Sequence, residues 1–169
     1  MTKSEYSKKC ISEALIRLLK TNSYSSLTIQ QIVDEAQVSR MAYYRNFNSM
    51  DDILKYYLDS ITDDYIARTQ LRFINHDLTD YFRTLLRHLM DYREIGLLLV
   101  RAGLFDMLRM EFDRGFSIMN PEESKETRYQ YYFNAGGMCN VYYHWLVNGC
   151  LESHEELTSI MVNALSYKR

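Results

Sequence analysis

Apolar residues recur every three or four positions along most of this chain. Ile11 and Leu15 begin one such helical face, and one proline and six glycines leave few interruptions in the later ones. Ser49 and Asp77 are placed to cap helices, and Pro121 suits the first position of another. The pattern predicts an all-α fold of about nine helices, over about 4–21, 28–36, 39–47, 49–74, 77–89, 93–100, 102–117, 120–148 and 154–166.

Two short helices joined by a tight turn are predicted between Leu27 and Phe47. Thr28 and Ser39 are their expected caps, because a hydroxyl there accepts from free amides of the first turn. The first helix has one apolar face, formed by Ile29, Ile32, Val33 and Ala36. The second directs Val38, Tyr43 and Phe47 toward a core. It leaves six residues pointing outward: Arg40, Met41, Ala42, Tyr44, Arg45 and Asn46.

The outward-pointing residues suit the major groove of DNA. Arginine donates to guanine, asparagine pairs with adenine, and apolar groups contact the thymine methyl. The three-residue break between the helices is typical of a helix-turn-helix. An ordinary helical hairpin with a solvated polar face has the same pattern, so the residues alone leave both interpretations open.

The N-terminal third resembles a known family. Residues 8–55 are similar to the N-terminal domain of TetR-family transcriptional regulators, through Thr28, Ile29, Ile32, Val33, Ala36, Val38, Ser39, Tyr43, Tyr44, Phe47, Asp51, Asp52, Ile53 and Leu54. A weaker match to the C-terminal half of one branch lies in Phe133–Gly137, Trp145–Leu146, Asn148–Gly149 and Glu155–Leu157. The resemblance implies a three-helix DNA-binding head over 1–48 and a ligand-binding and dimerisation domain over 49–169. It implies DNA contacts from Thr28, Ser39, Arg40, Met41, Ala42, Tyr44, Arg45 and Asn46.

Three residues depart from the family pattern. Gln37 stands where glycine is usual, so a left-handed turn there either costs energy or is built differently. Met50 stands where the family has a phosphate-binding lysine, and Ala42 where it has threonine or serine. Each lost phosphate contact weakens DNA binding and lowers its salt dependence by about one unit of slope. A TetR-like protein that instead binds a partner as a co-activator therefore remains an alternative.

The resemblance implies that the last two long helices pair with a second copy of the chain. Mid-helix glycines allow backbones to approach closely, although they could also accommodate a bulky neighbour in the same chain. A two-fold reader of a palindromic operator also needs two heads. The expected interface comprises Ala135, Gly136, Gly137, Trp145, Leu157, Ile160, Met161 and Ala164.

A small apolar or aromatic effector is the other partner that the resemblance implies, bound between the fourth and eighth helices. The chain has fifteen tyrosines and seven phenylalanines, which can line a pocket or simply pack a core. The expected pocket residues are Tyr57, Ile61, Tyr65, Phe82, Leu86, Arg101, Phe105, Leu108, Phe112 and Tyr132.

Charge and composition agree with a regulator. Residues 1–50 carry a net charge of +3 and the remainder −5, as expected if only the head meets DNA, although +3 is a modest excess. There is no apolar run of the length that spans a membrane and no signal peptide, so a cytoplasmic protein that does not contact membranes is expected. Three scattered cysteines are expected to be free thiols, with a thiol sensor as the alternative.

Enzymatic chemistry has little support in the sequence. It contains no Gly-rich phosphate loop, no Cys-x-x-Cys and no Gly-x-Ser-x-Gly. His76 with Asp80, and His88 with Asp91, are spaced as surface pairs or as acid/base dyads, and surface pairs are the simpler interpretation. No catalytic residue, metal site or cofactor is predicted. The sequence predicts a ligand-responsive repressor that binds its operator as a homodimer.

Overall fold

The computed structural model describes residues 2–69, 77–119 and 124–166. Within these residues the chain forms nine α-helices and no strand, which confirms the all-α prediction. The helices are α1 (Lys3–Leu19), α2 (Ile29–Glu35), α3 (Arg40–Asn46), α4 (Met50–Thr69), α5 (Leu78–Asp91), α6 (Arg93–Ala102), α7 (Phe105–Met119), α8 (Lys125–Val147) and α9 (His154–Ser166). A short 3-10 helix, Tyr24–Ser26, lies between α1 and α2.

One predicted helix start differs from the structure, and one predicted cap is confirmed. The side chain of Asp77 accepts from the backbone N–H of Thr79 at 2.7 Å, so it caps α5 as predicted. The prediction that α8 opens at Pro121 is wrong, because α8 begins at Lys125 and the Ser124 hydroxyl supplies its cap. The fourth helix was expected to reach residue 74; it is described over Met50–Thr69, and its predicted end lies outside the described residues. Residues 70–76 and 120–123, and with them the His76–Asp80 pair and Pro121, lie outside the described residues.

The N-terminal unit spans Met1–Ile61 and is built on α1. In this unit α1 packs against both α2 and α3, and α2 packs against α3. The buried side chains of this unit are mostly aliphatic, as the apolar spacing predicts. They include Ile11, Ala14, Leu15, Ile32, Val33, Tyr43, Phe47, Ile53 and Leu54.

The first three turns of α4 belong to this unit, which is therefore longer than the head expected over 1–48. The ring of Tyr56 meets the ring of Phe47 edge-on at 5.8 Å, and the ammonium of Lys8 lies 5.6 Å from the Tyr56 ring centroid. The Tyr24 hydroxyl also donates to the carboxylate of Asp51. These contacts explain why the compact unit continues past residue 48.

The C-terminal unit spans Thr62–Arg169. Here α5 packs against α9, α7 packs against α8, and α6 packs against both α7 and α8. Their buried faces share an aromatic core that includes Tyr65, Tyr81, Phe82, Phe112, Phe116, Tyr131, Tyr142 and Trp145. Among the described helices none combines the length and the apolar character needed to cross a membrane.

A glycine on α6 leaves the space that this helix needs to pack against α8. A Cβ atom added at Gly96 of α6 would lie 2.7 Å from Cδ1 of Leu146 and 2.8 Å from the Tyr142 hydroxyl oxygen, both on α8. That hydroxyl is itself held, because it donates to the backbone carbonyl of Leu89 at 3.0 Å. Gly96 is therefore needed for α6 to lie this close to α8.

Candidate nucleic-acid interface

The turn between α2 and α3 keeps the left-handed form in which glycine is usual. Gln37 has φ of 54°, and its N–H donates to the carbonyl of Asp34. The next N–H, from Val38, donates to the carbonyl of Val33 at 3.0 Å. This pair of bonds is the Schellman arrangement that closes a helix C-terminus. Of the two possibilities left by the sequence, the structure therefore has the left-handed turn, at a cost of about 1 kcal/mol for a residue with a side chain.

Thr28 and Ser39 cap the two helices of the motif, as predicted. The Thr28 hydroxyl accepts from the N–H of Gln31, and the Gln31 side chain accepts from the N–H of Thr28, a reciprocal capping box. The Ser39 hydroxyl accepts from the N–H of Ala42 at 3.1 Å. Both side chains thus have a structural role, and their contacts with DNA stay a prediction.

The α3 helix presents one face to solvent over an aromatic base. Tyr43 and Phe47 are only 1% and 5% exposed, whereas Met41 and Tyr44 are 66% and 57% exposed. Arg40 and Arg45 are exposed as well. The ring of Tyr44 meets that of Tyr43 edge-on at 5.2 Å, so the buried tyrosine supports the exposed one. The division of this helix into a buried and an exposed side is as predicted, with Val38 and Ala42 half-buried.

Asn46 departs from the expectation of a free, outward-pointing amide. Its Nδ2 donates to the backbone carbonyl of Ala42 at 2.6 Å, and its Oδ1 accepts from the hydroxyl of Ser4 at 2.6 Å. The side chain is half-buried between α3 and the first turn of α1. Sequence reasoning missed Ser4, since a contact between residues 42 positions apart has no local signal.

The first residue of α4 is Met50, at the position where the family usually has a lysine, so this position supplies no positive charge. Met50 is half-buried at the first turn, and its thioether is no donor for a phosphate. Ser49 accepts from the N–H of Asp52, which confirms the predicted cap, and Asp52 accepts from the N–H of Asn48. These backbone bonds hold the pKa of Asp52 below its usual range, so the first turn stays anionic.

The residues predicted to line an effector pocket are spread over both units. Tyr57 and Ile61 belong to the N-terminal unit. Tyr65, Phe82, Leu86 and Phe112 are buried in the C-terminal core, where Phe105 and Leu108 are half-buried. Arg101 and Tyr132 are exposed, and their place in an effector pocket stays a prediction. Both lie on the solvent side of their helices.

The predicted dimer residues divide into covered and open ones. Ala135, Trp145 and Leu157 are buried by their own chain, and the indole N–H of Trp145 donates to the carbonyl of Glu152 at 3.0 Å. Their own chain already covers these three side chains, and their part in a dimer interface stays a prediction. The open ones are Gly136, Gly137, Ile160 and Ala164, with Met161 half-buried.

An apolar groove of about 280 Å³ lies on this open surface, between α5, α8 and α9. Phe133, 70% exposed, stands at its rim, and Gly137 and Ile160 are among its walls. A Cβ added at Gly136 or Gly137 would meet no atom within 4 Å in the described part of the chain. The bulky intrachain neighbour that could have explained these glycines is therefore not present among the described residues.

The groups that could support other chemistry are structural where the structure describes them. His88 lies between the rings of Tyr65 and Tyr92, at 4.8 and 4.9 Å between centroids, and burial lowers its pKa. The three cysteines are free thiols, as predicted. Burial raises the pKa of Cys139 to about 11, which keeps this thiol protonated. The described residues contain no group of three or more His, Cys, Asp or Glu side chains arranged to hold a metal ion.

Comparison with known proteins finds a family match within the N-terminal unit. Residues 11–57, which contain α2, α3 and the start of α4, match the family model of bacterial regulatory proteins of the tetR family. The N-terminal unit therefore carries a domain of the tetR-family type.

Two solved structures share the fold of this chain over nearly its whole length. One is a TetR transcriptional regulator from Streptococcus agalactiae 2603V, with a TM-score of 0.67 and 17% identity over 96% of this chain and 94% of that one. The other is the dihydroxyacetone kinase operon activator DhaS, with a TM-score of 0.65 and 17% identity over 96% of this chain and 95% of that one. No curated protein matches the chain significantly. Identity this low establishes the shared fold alone.

Proposed function

We propose that this protein is a TetR-family transcription regulator, and that it is a ligand-responsive repressor that binds a palindromic operator as a homodimer. The observation that carries the proposal is the exposed face of α3, where Met41 and Tyr44 are exposed and the ring of Tyr44 packs on the buried ring of Tyr43. Arg40 and Arg45 flank them on the same short helix. Two guanidinium groups, a phenol and a thioether supply donors for guanine and an apolar contact for thymine.

Charge on the head favours contact through α3. Arg17 is held by the carboxylate of Glu35 at 2.6 Å, and Lys55 by that of Asp59 at 2.7 Å. Arg40 and Arg45 are exposed on α3, where a phosphate or base edge can approach. We assign direct DNA contact to these two residues, Met41 and Tyr44, with Thr28 and Ser39 adding contacts near the helix starts.

A second copy of the chain is the proposed occupant of the open face of α8 and α9. Phe133 at 70% exposure and Ile160 at 56% project from the same surface that holds the apolar groove. A surface with both projecting side chains and a recess is self-complementary, as a two-fold interface requires. Gly136 and Gly137 leave room for the partner's backbone or side chains.

Effector binding is proposed for the aromatic interior of the C-terminal unit. Tyr65, Phe82, Leu86 and Phe112 surround a region rich in rings, which suits a small apolar or aromatic compound. Such a compound releases DNA only if it binds the DNA-free conformation more tightly than the DNA-bound one. We therefore expect an effector to raise the melting temperature and to lower operator affinity. The operator should in turn lower the affinity for the effector by the same factor.

A partner-binding activator is the second candidate. Met50 and Ala42 remove two groups that could hold the DNA backbone, which favours a head with weak affinity of its own. One structural relative is described as an operon activator, so activation occurs on this fold. In this case the open face of α8 and α9 or the head itself would engage another regulatory protein.

Selection of bound sequences from a random duplex library tests the proposal. The full chain is used, first at low salt and then near physiological salt. Enrichment of a two-fold symmetric motif that survives the higher salt supports a specific dimeric reader. A folded, dimeric protein that enriches no sequence would overturn the repressor proposal in favour of the partner-binding one.

Variants on α3 then assign the contacts. Tyr44→Ala and Arg45→Ala are expected to abolish specific binding while the protein stays folded and dimeric. Arg87→Ala is the matched control, since Arg87 is an exposed arginine on α5 in the other unit. Unchanged operator affinity in both α3 variants would show that this helix does not read the operator.

A further inference from the structure

The amide of Asn46, the last residue of α3, is engaged on both of its ends. Nδ2 donates to the carbonyl of Ala42, four residues back in the same helix, at 2.6 Å. Oδ1 accepts from the Ser4 hydroxyl, in the first turn of α1, at 2.6 Å. The side chain thus bridges two helices of the N-terminal unit.

This geometry conflicts with a role in base recognition. To read adenine, an asparagine presents its oxygen and its nitrogen side by side to one base edge. In this protein the two atoms are directed at two different protein partners. Asn46 would have to give up both bonds and rotate before it could pair with a base.

We infer that Asn46 is a positioning residue, which with Ser4 fixes the C-terminal end of α3 to the start of α1 and does not read a base. The inference rests on the proposed binding of duplex DNA by α3. Base reading is then left to Arg40, Met41, Tyr44 and Arg45, whose side chains are exposed.

Because α3 is short, it depends on contacts such as this bridge for its stability. Arg40–Asn46 contains seven residues, and so short a helix has little stability of its own. Ser39 holds the N–H of Ala42 from one side, and Asn46 holds the carbonyl of Ala42 from the other. The Ser4 hydroxyl then ties this clamped turn to α1, a helix of 17 residues that begins with its own capping box.

A double-mutant cycle on unfolding tests the bridge without DNA. Ser4→Ala is expected to shift the unfolding equilibrium constant about threefold toward the unfolded state, as for loss of one exposed hydrogen bond, and Asn46→Ala is expected to shift it further, because it also removes the bond to Ala42. The double variant should lose less than the product of the two single effects, because both remove the same bond. Ser4→Thr, which keeps the hydroxyl, should restore the wild-type value, and Ser25→Ala, at an exposed serine of the 3-10 helix, is the control.

Operator binding provides the readout that separates positioning from reading. Affinity is measured for the selected operator and for every single-base variant of it. We expect Asn46→Ala and Ser4→Ala each to weaken binding. For either variant the loss should be the same on every operator sequence, so that the base preference at each position is unchanged. Relaxed preference at one operator position in Asn46→Ala, with Ser4→Ala unaffected, would overturn the inference and make Asn46 a base reader.

The two experiments also separate the inference from the proposal on which it rests. Wild-type protein that enriches no operator while the unfolding cycle shows coupling would remove the proposed function and leave the Ser4–Asn46 bridge supported. Wild-type protein that binds a specific operator while the cycle shows independent effects would overturn the bridge and leave the proposed function intact.

Discussion

The hydroxyl of Thr62 on α4 donates to the carboxylate of Glu111 on α7 at 2.9 Å, although Glu111 is only 6% exposed. The guanidinium of Arg114 donates to the same carboxylate oxygen at 2.9 Å and to Asp63 at 2.8 Å. A buried carboxylate is tolerated only while its hydrogen bonds and its ion pair are kept. The C-terminal half of α4 is thereby joined to α7 through polar side chains within an otherwise apolar core.

Thr62→Val keeps the shape of the side chain and removes this donor. We expect the free energy of unfolding to fall by about 1–2 kcal/mol, because the carboxylate loses one of its hydrogen bonds. Chemical denaturation measures the change. Thr84→Val, at a half-buried threonine of α5, is the control, and an equal loss in both variants would contradict a special role for the Thr62–Glu111 bond.

Gln37→Gly should stabilise the protein. Gln37 has φ of 54°, which glycine adopts without strain, so we expect a gain of about 1 kcal/mol in the free energy of unfolding. Gln130→Gly on the exposed side of α8 should instead cost about 1 kcal/mol, because glycine is unfavourable inside a helix. A loss of stability in both variants would show that the turn tolerates glutamine without cost.

Met50→Lys should restore a cation at the start of α4. Operator affinity is expected to rise, and the dependence of log affinity on log salt is expected to steepen by about one unit. Titration of labelled operator at several salt concentrations measures both. Met110→Lys, at a methionine of α7 that is 57% exposed, adds the same charge to the other unit. The same change in salt slope for the two variants would mean that charge alone, and not its place on the head, is responsible.

Ile160→Glu should separate the proposed dimer. Ile160 is 56% exposed beside the apolar groove, and a carboxylate there must lose its hydration when a second copy covers it. We expect the dissociation constant of the dimer to rise at least about a hundredfold, an effect of about 3 kcal/mol. Ile118→Glu, at an isoleucine of α7 that is 47% exposed, should leave the dimer intact. Sedimentation velocity distinguishes the two, and a stable dimer in Ile160→Glu would place the interface elsewhere.

Acidification should destabilise the C-terminal unit through His88. Burial lowers its pKa in the folded state below the usual value of about 6.5, although Asp64 and Asp91 partly oppose the shift. The unfolded state therefore binds the proton first, and stability falls as the pH drops below about 6.5 toward the folded pKa. His88→Phe keeps the ring between Tyr65 and Tyr92 and should flatten this dependence. His144→Phe, at an exposed histidine of α8, should retain it, and equal pH profiles for the two variants would exclude His88 as the cause.

Local chemistry explains which parts of the fold could be predicted. The caps at Thr28, Ser39 and Asp77 were predictable, because each is an interaction over two or three residues. The burial of Tyr43 and Phe47 followed from helical spacing. The start of α8 was predicted wrongly, because proline at residue 121 is a strong local signal and Ser124 is an equally suitable cap.

Long-range pairing explains what could not be predicted. The Ser4–Asn46 bond and the Thr62–Glu111 bond join residues 42 and 49 positions apart. Trp145 is of a residue type that is common at protein interfaces, and only the packed structure shows that its own chain buries it. Exposure of Arg101 likewise depends on how α6 lies against α7 and α8.

Gly96 has a consequence for how this sequence can diverge. The space for its absent side chain is occupied by Leu146 and by the Tyr142 hydroxyl. A relative that acquires even alanine at this position must also acquire a smaller residue at one of the other two, or give up the bond to residue 89. We therefore expect positions 96, 142 and 146 to change together among descendants of this chain. A substitution at one of them that would destabilise the fold by itself can persist when a compensating substitution accompanies it.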